Sequence, residues 1–289
     1  KVRVLDNLST GYKTNIEPFF SNSAFEFIEG DIVNVDDCDL AVKDIDIILH
    51  QAALGSVPRS IKDPTATNAV NVSGFLNMLN AAKNNNVKRF VFASSSSVYG
   101  DDKTMPKVEE ITGNLLSPYA VTKKSNELYA DVFYKTYGLE TIGLRYFNVF
   151  GPRQNVNGPY AAVIPIFITE LLKSKSPTIF GDGTTTRDFT FIENVIQANL
   201  LAAFTNNPLA INQVFNIAYG GTTSLNTLFS SIAQKLHTDL KPIYQPERKG
   251  DIKDSFANID KAHKILNYKP TVEISDGLEL TVDWYKNNS

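Results

Sequence analysis

The sequence is poor in the residues that build disulfides and metal centres. It contains a single cysteine, Cys38, which excludes an internal disulfide and a multi-cysteine metal site. The three histidines, His50, His237 and His263, do not have the spacing of zinc ligands, so we expect no metal centre. Cys38 also lies among aspartates, which raise the pKa of a thiol and make it a poor nucleophile.

Long apolar runs and blocks of like charge are also missing. The longest clean apolar stretch, 161–168, is interrupted by Pro165 and falls short of the roughly 20 residues that span a bilayer. Lys and Arg number 28 against 31 Asp and Glu, without a basic cluster. These features predict no membrane partner and no nucleic-acid partner. A chain of 289 residues that is 43% hydrophobic can bury a sizeable core, and we expect a cytoplasmic protein.

Strand-like and helix-like segments alternate in the first half of the chain. Short β-rich runs occur at 1–7, 25–29, 45–50, 89–93 and 141–145, with helix-like stretches at about 64–86 and 118–137. Nearly continuous apolar strands in this alternation predict an α/β fold with a Rossmann-type doubly wound parallel sheet. After Gly151 the strands shorten (178–180, 214–217), and helices are expected at about 160–173, 191–205, 224–236 and 273–286. We therefore expect a dinucleotide-binding domain over 1–150 and a smaller α/β substrate lobe, mainly 151–289, over the carboxyl ends of the strands.

The first strand ends in an acid. In a dinucleotide-binding fold, an acid such as Asp6 at the end of the second strand accepts hydrogen bonds from ribose hydroxyls and selects NAD over NADP. The alternative is an acid that merely starts a turn. Small polar residues and a glycine follow it: Asn7, Ser9 and Gly11. Asp31, with Ile32 after it, suits a contact to the adenine amino group or, alternatively, a helix N-cap.

A glycine fingerprint normally precedes such an acid by about 20 residues, and this sequence contains none. The simplest interpretation is that the first strand and the glycine-rich loop belong to the native protein and lie before residue 1.

A serine run follows the apolar strand at 89–93, and a tyrosine and a lysine follow it at helical spacing. Tyr119 and Lys123 are one helical turn apart, so both side chains emerge on one face. A phenol with an ordinary pKa near 10 is a poor base at neutral pH, but a nearby ammonium stabilises the phenolate. A serine hydroxyl at the strand end, from Ser95 or Ser96, could then relay or position a substrate proton.

With this combination of an apolar strand, a serine run and a tyrosine–lysine pair, the chain resembles the nucleotide-sugar epimerases of the extended short-chain dehydrogenase/reductases. The resemblance extends from residue 1 to about 285. The resemblance implies that Ser95, Tyr119 and Lys123 are the catalytic residues and that NAD is the cofactor. Beyond the strand-end residues above, it implies further cofactor contacts at Gln51, Ala52, Ala53, Asn71 and Tyr146. It also places a UDP-sugar diphosphate and uridine site at Arg187, Arg248 and Asp251, where arginine forks suit bidentate phosphate contacts. For each arginine the alternative is a surface or interdomain salt bridge.

The serine run also distinguishes between the reactions that members of this family catalyse. Dehydratases of nucleotide sugars carry an Asp-Glu pair after the strand-end Thr, and UDP-glucuronate decarboxylases carry a Glu there. This chain has Ser95, Ser96 and Ser97 instead, which favours oxidation and re-reduction at C4, hence epimerisation. Ser255 stands where glucose-specific relatives carry a bulkier Tyr, so the resemblance favours UDP-N-acetylglucosamine and UDP-N-acetylgalactosamine, with UDP-glucose and UDP-galactose as a second pair. The substrate-binding residues implied around the sugar are Gly55, Ser56, Asn148, Ala162, Val163 and Ser255.

Two other functions stay open at this stage. One is a UDP-glucuronate 4-epimerase, although no arginine for the sugar carboxylate is identifiable. The other is a UDP-sugar binder that is inactive without the glycine-rich loop.

The resemblance further implies a homodimer formed through a four-helix bundle of the helices at about 64–86 and 118–137. His50, which ends an apolar strand, is expected to be a packed residue rather than a base.

Overall fold

The computed structural model describes residues 1–156, 162–247 and 254–288. Arg248 and Asp251, two of the expected substrate contacts, lie outside these ranges. The strands are β1 (Val2–Asp6), β2 (Phe25–Glu29), β3 (Ile47–His50), β4 (Arg89–Ser95), β5 (Glu140–Tyr146), β6 (Val149–Phe150), β7 (Thr178–Phe180), β8 (Thr186–Arg187), β9 (Thr190–Phe191), β10 (Gln213–Ile217), β11 (Thr223–Ser224), β12 (Ile243–Gln245) and β13 (Asp254–Ser255). The α-helices are α1 (Val35–Val42), α2 (Val57–Lys62), α3 (Pro64–Asn68), α4 (Phe75–Asn84), α5 (Pro118–Tyr137), α6 (Val163–Leu172), α7 (Ile192–Phe204), α8 (Leu225–Lys235), α9 (Asp260–Leu266) and α10 (Ile274–Asn288).

Two compact units divide the chain, and they are interleaved along the sequence. Unit 1 comprises Lys1–Gly100, Gly113–Gly143 and Asn206–Val214. Unit 2 comprises Asp101–Thr112, Leu144–Thr205 and Phe215–Ser289. The expected boundary at residue 150 separates a dinucleotide-binding part from a substrate-binding part. That assignment of binding roles stays a prediction.

Parallel strands carry the polar residues of unit 1 at their carboxyl ends. β1 and β2 pair in parallel, with Val2 opposite Phe25 and Asp6 opposite Glu29. A four-stranded sheet has the order β10-β5-β4-β3, in which β3 and β4 are parallel. β4 is buried from Arg89 to Ser94, which explains its continuous apolar run. The core of this unit includes Phe75, Leu79 and Phe90.

The predicted helix at about 64–86 forms in three parts. α3 and α4 are joined by a π-helical segment, Ala69–Gly74. A Cβ at Gly74 would lie 2.7 Å from the Ile32 side chain, so only glycine lets this segment approach so closely. The wider turn contains Asn71, one of the expected site residues, and π-bulges are frequent at functional sites.

α5 has clear sequence signals at both ends. The Ser117 side chain accepts a hydrogen bond from the Ala120 N–H, and Pro118 occupies the first helical position. Gly138 ends the helix in the left-handed conformation, at φ 75°. The predicted range 118–137 is confirmed, and with it the placement of Tyr119 and Lys123 on one helix.

Unit 2 combines small sheets with helices around a second core. β8 lies between β11, which is antiparallel to it, and β13, which is parallel to it. Phe167, Phe191 and Leu228 belong to the buried core of this unit. No helix in the described ranges is both long and apolar enough to cross a membrane.

Candidate active site

A cleft in unit 1 brings together most of the residues expected to bind the cofactor. It is lined by Leu5, Asp6, Asn7, Ser9, Thr10, Gly30, Asp31, Ile32, Ala52, Ala53, Leu54 and Val70. These residues come from the ends of β1, β2 and β3 and from the π-helical segment. Seven of the expected cofactor residues are among them, although their roles in binding stay predictions.

The two strand-end acids, Asp6 and Asp31, both line this cleft. The Asn7 side-chain amide donates to the Asp31 carboxylate at 2.8 Å, and Asp6 accepts from the Leu8 N–H at 2.7 Å. Gly11 lies beside the acid, where a Cβ would make ordinary van der Waals contact, at 3.8 Å, with both Asp6 carboxylate oxygens. An open cleft with hydrogen-bond acceptors at a strand end fits the adenosine half of NAD.

Asn71 is not among the residues that line the cleft, but its side chain hydrogen-bonds the main chain of Leu54, which is. It is 1% exposed, its Oδ1 accepts from the Leu54 N–H at 2.7 Å, and its Nδ2 donates to the Leu54 carbonyl at 3.2 Å. The same Nδ2 donates to Thr122 Oγ1 of α5 at 3.2 Å. Asn71 therefore ties the segment after β3 to the helix that carries Tyr119. Gln51, also expected near the cofactor, is exposed.

Tyr119, Lys123 and Ser95 lie together beside the end of β4. Lys123 Nζ lies 6.0 Å from the centre of the Tyr119 ring, and it donates to the Ala93 carbonyl at 2.8 Å. Ser95 Oγ accepts from the Ser97 N–H at 3.1 Å, and the Ser95 side chain hydrogen-bonds the Tyr119 hydroxyl. Ser96 begins the short helical turn Ser96–Tyr99 and is half-buried.

Burial acts on the two titratable groups in opposite directions. It raises the pKa of the Tyr119 phenol, although the hydrogen bond with Ser95 lowers it. It lowers the pKa of the Lys123 ammonium from 10.5 to about 8. Because Lys123 is only 2% exposed, its charge acts through a low-dielectric medium and is weakly screened. This cluster can support acid–base chemistry at a substrate hydroxyl.

Ser60 and Glu127 were not singled out from the sequence, and each makes a hydrogen bond to this cluster or to the strand that leads into it. Ser60 is fully buried, and its Oγ accepts from the Tyr119 N–H at 3.0 Å. The Ser94 hydroxyl donates to Glu127 Oε1 at 2.7 Å, and Lys124 pairs with the same carboxylate at 3.2 Å. Glu127 lies one turn after Lys123, so the spacing alone could have indicated that it shares the buried face.

His50 is a packed residue and Cys38 a poor nucleophile, as expected. The His50 ring lies 5.5 Å from Phe90 and 5.2 Å from Phe75, and burial lowers its pKa to about 3. Burial, followed by the charges of Asp39 and Asp37, raises the pKa of the Cys38 thiol to about 12. Both predictions are confirmed, since neither group is poised to react at neutral pH.

Three of the expected substrate residues in unit 2 cluster around Asp188. Arg187 lies opposite Ser255 in the parallel β8–β13 pair, and both are half-buried. The Asn148 amide donates to the Asp188 carbonyl at 2.9 Å, and the Asp188 N–H donates to the Ser255 carbonyl at 2.9 Å. Asn148 is exposed and has a φ of 33°, so the turn after β5 presents its side chain to this cluster.

Other expected residues have more varied surroundings. The Tyr146 hydroxyl exchanges hydrogen bonds with the Asn199 side chain at 2.8–3.2 Å. Gly55 is exposed, and a Cβ there would meet nothing within 4 Å. The Ser56 side chain accepts from the Arg59 N–H at 3.2 Å and so begins α2. Ala162 precedes α6, and Val163, its first residue, packs against the core of unit 2.

Comparison with known proteins places the chain in a family. The model of the NAD dependent epimerase/dehydratase family matches residues 1–218. A UDP-glucose 4-epimerase of Mycolicibacterium smegmatis is 35% identical over 287 residues, which cover 99% of this chain and 90% of that protein. The solved UDP-N-acetylglucosamine 4-epimerase from Methanobrevibacter ruminantium, in complex with UDP-N-acetylmuramic acid, has a TM-score of 0.94 at 40% identity. That match covers 100% of this chain and 91% of the other.

A further solved structure is the UDP-glucuronic acid 4-epimerase from Bacillus cereus in complex with UDP-glucuronic acid and NAD. Its TM-score is 0.92 at 34% identity, and the match covers 100% of this chain and 91% of the other. The chain belongs to the NAD dependent epimerase/dehydratase family. The expected Rossmann-type α/β fold, the enzyme class and the NAD cofactor are thereby confirmed.

Proposed function

We propose that the protein interconverts UDP-N-acetylglucosamine and UDP-N-acetylgalactosamine by inverting C4 of the sugar. It is an NAD-dependent UDP-sugar 4-epimerase, as are the relatives named above, and the proposal concerns which sugar it takes. The observation that carries the chemistry is the cluster of the half-buried Ser95 and Tyr119 with the buried Lys123 beside the end of β4.

In the proposed mechanism, the Tyr119 oxygen takes the proton of the C4 hydroxyl, with Ser95 holding that hydroxyl or relaying its proton. Lys123 stabilises the phenolate, since a positive charge beside a phenol favours its ionised form. Bound NAD supplies the acceptor and then the donor of the C4 hydride. The resulting 4-keto sugar turns about its bonds to the diphosphate, and Tyr119 returns the proton to the new hydroxyl.

The residues proposed to hold the diphosphate and the nucleotide belong to unit 2. Arg187, and Arg248 outside the described residues, are proposed to bind the diphosphate, because a planar guanidinium matches phosphate oxygens in pairs. Asn148 and Asp251 are proposed to contact the nucleotide, and Tyr146 to lie beside the nicotinamide.

Two features support an N-acetylated sugar. The small, half-buried Ser255 leaves space that a Tyr would fill, and Gly55 has open space around its Cα. Ser56, Asn148 and Ala162 are proposed as the other neighbours of the acetamido group, and Val163 as a further substrate contact. A relative at 40% identity is a UDP-N-acetylglucosamine 4-epimerase, which adds to this support.

The decisive assay offers the full-length enzyme UDP-N-acetylglucosamine, UDP-glucose and UDP-glucuronate in turn. We expect UDP-N-acetylgalactosamine as the main product, and no product with Tyr119→Phe, which keeps the ring but removes the base. Absorbance at 340 nm should appear transiently when the sugar is added. Main turnover of UDP-glucuronate would overturn the sugar assignment, and the absence of any turnover or 340 nm change would favour a binder without catalysis.

Ser255→Tyr tests the sugar assignment separately. We expect turnover of the N-acetyl pair to fall at least tenfold while turnover of the glucose pair is retained, because the added ring occupies the acetamido space. The glucose pair serves as the internal control for folding and cofactor binding. Equal turnover of the N-acetyl pair in Ser255→Tyr and in the unmodified enzyme would remove Ser255 from the pocket.

We further propose that the enzyme is a homodimer that buries the outer face of α5. Val121, Leu128 and Val132 recur on that face and are 49%, 58% and 51% exposed. Exposed apolar side chains in a row on one helix are typical of a protein interface. The exposed residues of α4, Asn80 and Asn84, are polar, so α5 supplies the apolar part of the proposed four-helix contact.

A further inference from the structure

Asp188 is a fully buried acid at the end of β8, directly after Arg187. Its carboxylate accepts hydrogen bonds from main-chain N–H groups of two separate segments. Tyr219 donates to it at 3.0 Å and Gly220 at 3.1 Å, while Ala257 donates at 3.3 Å. A buried carboxylate is costly unless it is well hydrogen-bonded. Burial raises the pKa of Asp188 to about 7 even though these donors lower it.

The main chain of the same residue joins two further segments. Its carbonyl accepts from the Asn148 side chain, and its N–H donates to the Ser255 carbonyl, each at 2.9 Å. Asp188 therefore connects four stretches of unit 2: the turn after β5, strand β13 with the residues that follow it, the segment after β10, and β8 itself. Three of these stretches carry side chains proposed to hold the nucleotide sugar.

We infer that Asp188 is a positioning residue for the nucleotide-sugar site of this enzyme. Its carboxylate fixes the loop at Tyr219 and Gly220 against the segment that follows Ser255. The consequence is a fixed spacing between the Arg187 guanidinium and the side chains of Asn148 and Ser255. This inference rests on the proposed role of those three residues, and it assigns Asp188 no contact with the substrate.

The substitution Asp188→Asn tests the inference, because one acceptor oxygen becomes an N–H donor facing the main-chain donors. We expect the KM for the UDP-sugar and the Kd for UDP to rise about tenfold to a hundredfold, with kcat changed less than threefold. The amount of NAD retained should be unchanged, since the cleft residues lie in unit 1.

Glu109→Gln is the matched control. Glu109 is a buried carboxylate of unit 2 that accepts from the Asn216 N–H at 2.8 Å. Its removal should lower the melting temperature comparably and leave the Kd for UDP unchanged. An equal rise in Kd in both variants would mean that Asp188 acts only through stability, and the inference would fail.

A second variant probes whether Asp188 acts through Arg187. In an Arg187→Met background, Asp188→Asn should raise the Kd for UDP much less than it does alone, because residues that act as one unit are not additive. Full additivity would overturn the inference. Failure of the unmodified enzyme to bind UDP would instead contradict the proposed function.

Hydrogen exchange in the unmodified enzyme keeps the inference testable if Asp188→Asn does not fold. Saturating UDP should slow exchange of the Tyr219, Gly220 and Ala257 amides, because binding and local opening are reciprocally linked. The Asn216 amide, which donates to Glu109, is the reference and should not change. Unaltered exchange at all three amides would overturn the inference.

Discussion

Replacing Lys123 by Met should affect catalysis and stability in different ways. The Nζ atom is buried, donates to the Ala93 carbonyl at 2.8 Å and lies 6.0 Å from the centre of the Tyr119 ring. In the proposed mechanism this cation stabilises the phenolate of Tyr119, and the substitution removes it. We expect kcat to fall by about 10²–10⁴-fold, the usual contribution of a positioned acid–base group.

The stability of the same variant should change little at pH 7. Holding the ammonium in the folded protein lowers its pKa from 10.5 to about 8, which corresponds to a cost of about 3 kcal/mol. Lys123→Met removes that cost, but it leaves the buried Ala93 carbonyl without its donor, at a cost of about 1–3 kcal/mol. These two effects oppose each other, so the free energy of unfolding should change by less than about 2 kcal/mol.

The pH dependence of stability separates the two contributions. Between pH 8 and 10.5 the unfolded chain holds the Lys123 proton and the folded protein does not, so the folded state gains stability as the pH rises. This gain should be absent from Lys123→Met. Urea unfolding of both proteins from pH 7 to 10 measures the difference, in which the titrations of all other groups cancel. A difference in unfolding free energy that does not vary with pH would refute the reasoning.

Three further predictions follow from the same cluster and from α5. Glu127→Gln should lower kcat about tenfold with little change in KM, because the Ser94 hydroxyl loses a charged acceptor and the end of β4 shifts. Equal kcat values for this variant and the unmodified enzyme in a steady-state assay would contradict this prediction. Leu128→Asp should give monomers in sedimentation equilibrium, whereas Leu280→Asp, at 49% exposure on α10, should not; a persistent dimer in the first variant would exclude α5 as the interface. In the unmodified enzyme kcat should decline above about pH 8 as Lys123 loses its proton, and a rate that rises through pH 10 would show that this charge is not required.

Local sequence signals predicted the elements that carry the chemistry. Ser117, Pro118 and Gly138 bound α5 as their residue types require, and the four-residue spacing then places Tyr119 and Lys123 together. The apolar run of β4 fixed the position of the serines at its end. Such signals work because capping and strand burial depend on a few neighbouring residues.

Interactions between distant segments were not predictable in the same way. The spacing of Lys123 and Glu127 places both on one face of α5, but it does not show that Glu127 accepts a hydrogen bond from Ser94 of β4. The π-helical turn at Ala69–Gly74 depends on the close approach of Ile32, about 40 residues away, and no local pattern encodes it. The sequence shows Asp188 only as an acidic residue, and it is the fold that shows main-chain N–H groups donating to its carboxylate.

The electrostatics of the cluster explain why the pairing of Tyr119 with Lys123 matters. Burial alone makes the phenol harder to ionise, so it works against the use of Tyr119 as a base. The Ser95 hydrogen bond acts in the helpful direction, but burial is the larger effect. The proposed mechanism therefore assigns a positive charge to this site, and the hydrogen bond to the Ala93 carbonyl holds Lys123 Nζ 6.0 Å from the centre of the Tyr119 ring. The same burial that lowers the pKa of Lys123 to about 8 also reduces the screening of its charge, so in the proposed mechanism the ammonium can act on the phenol only below that pH.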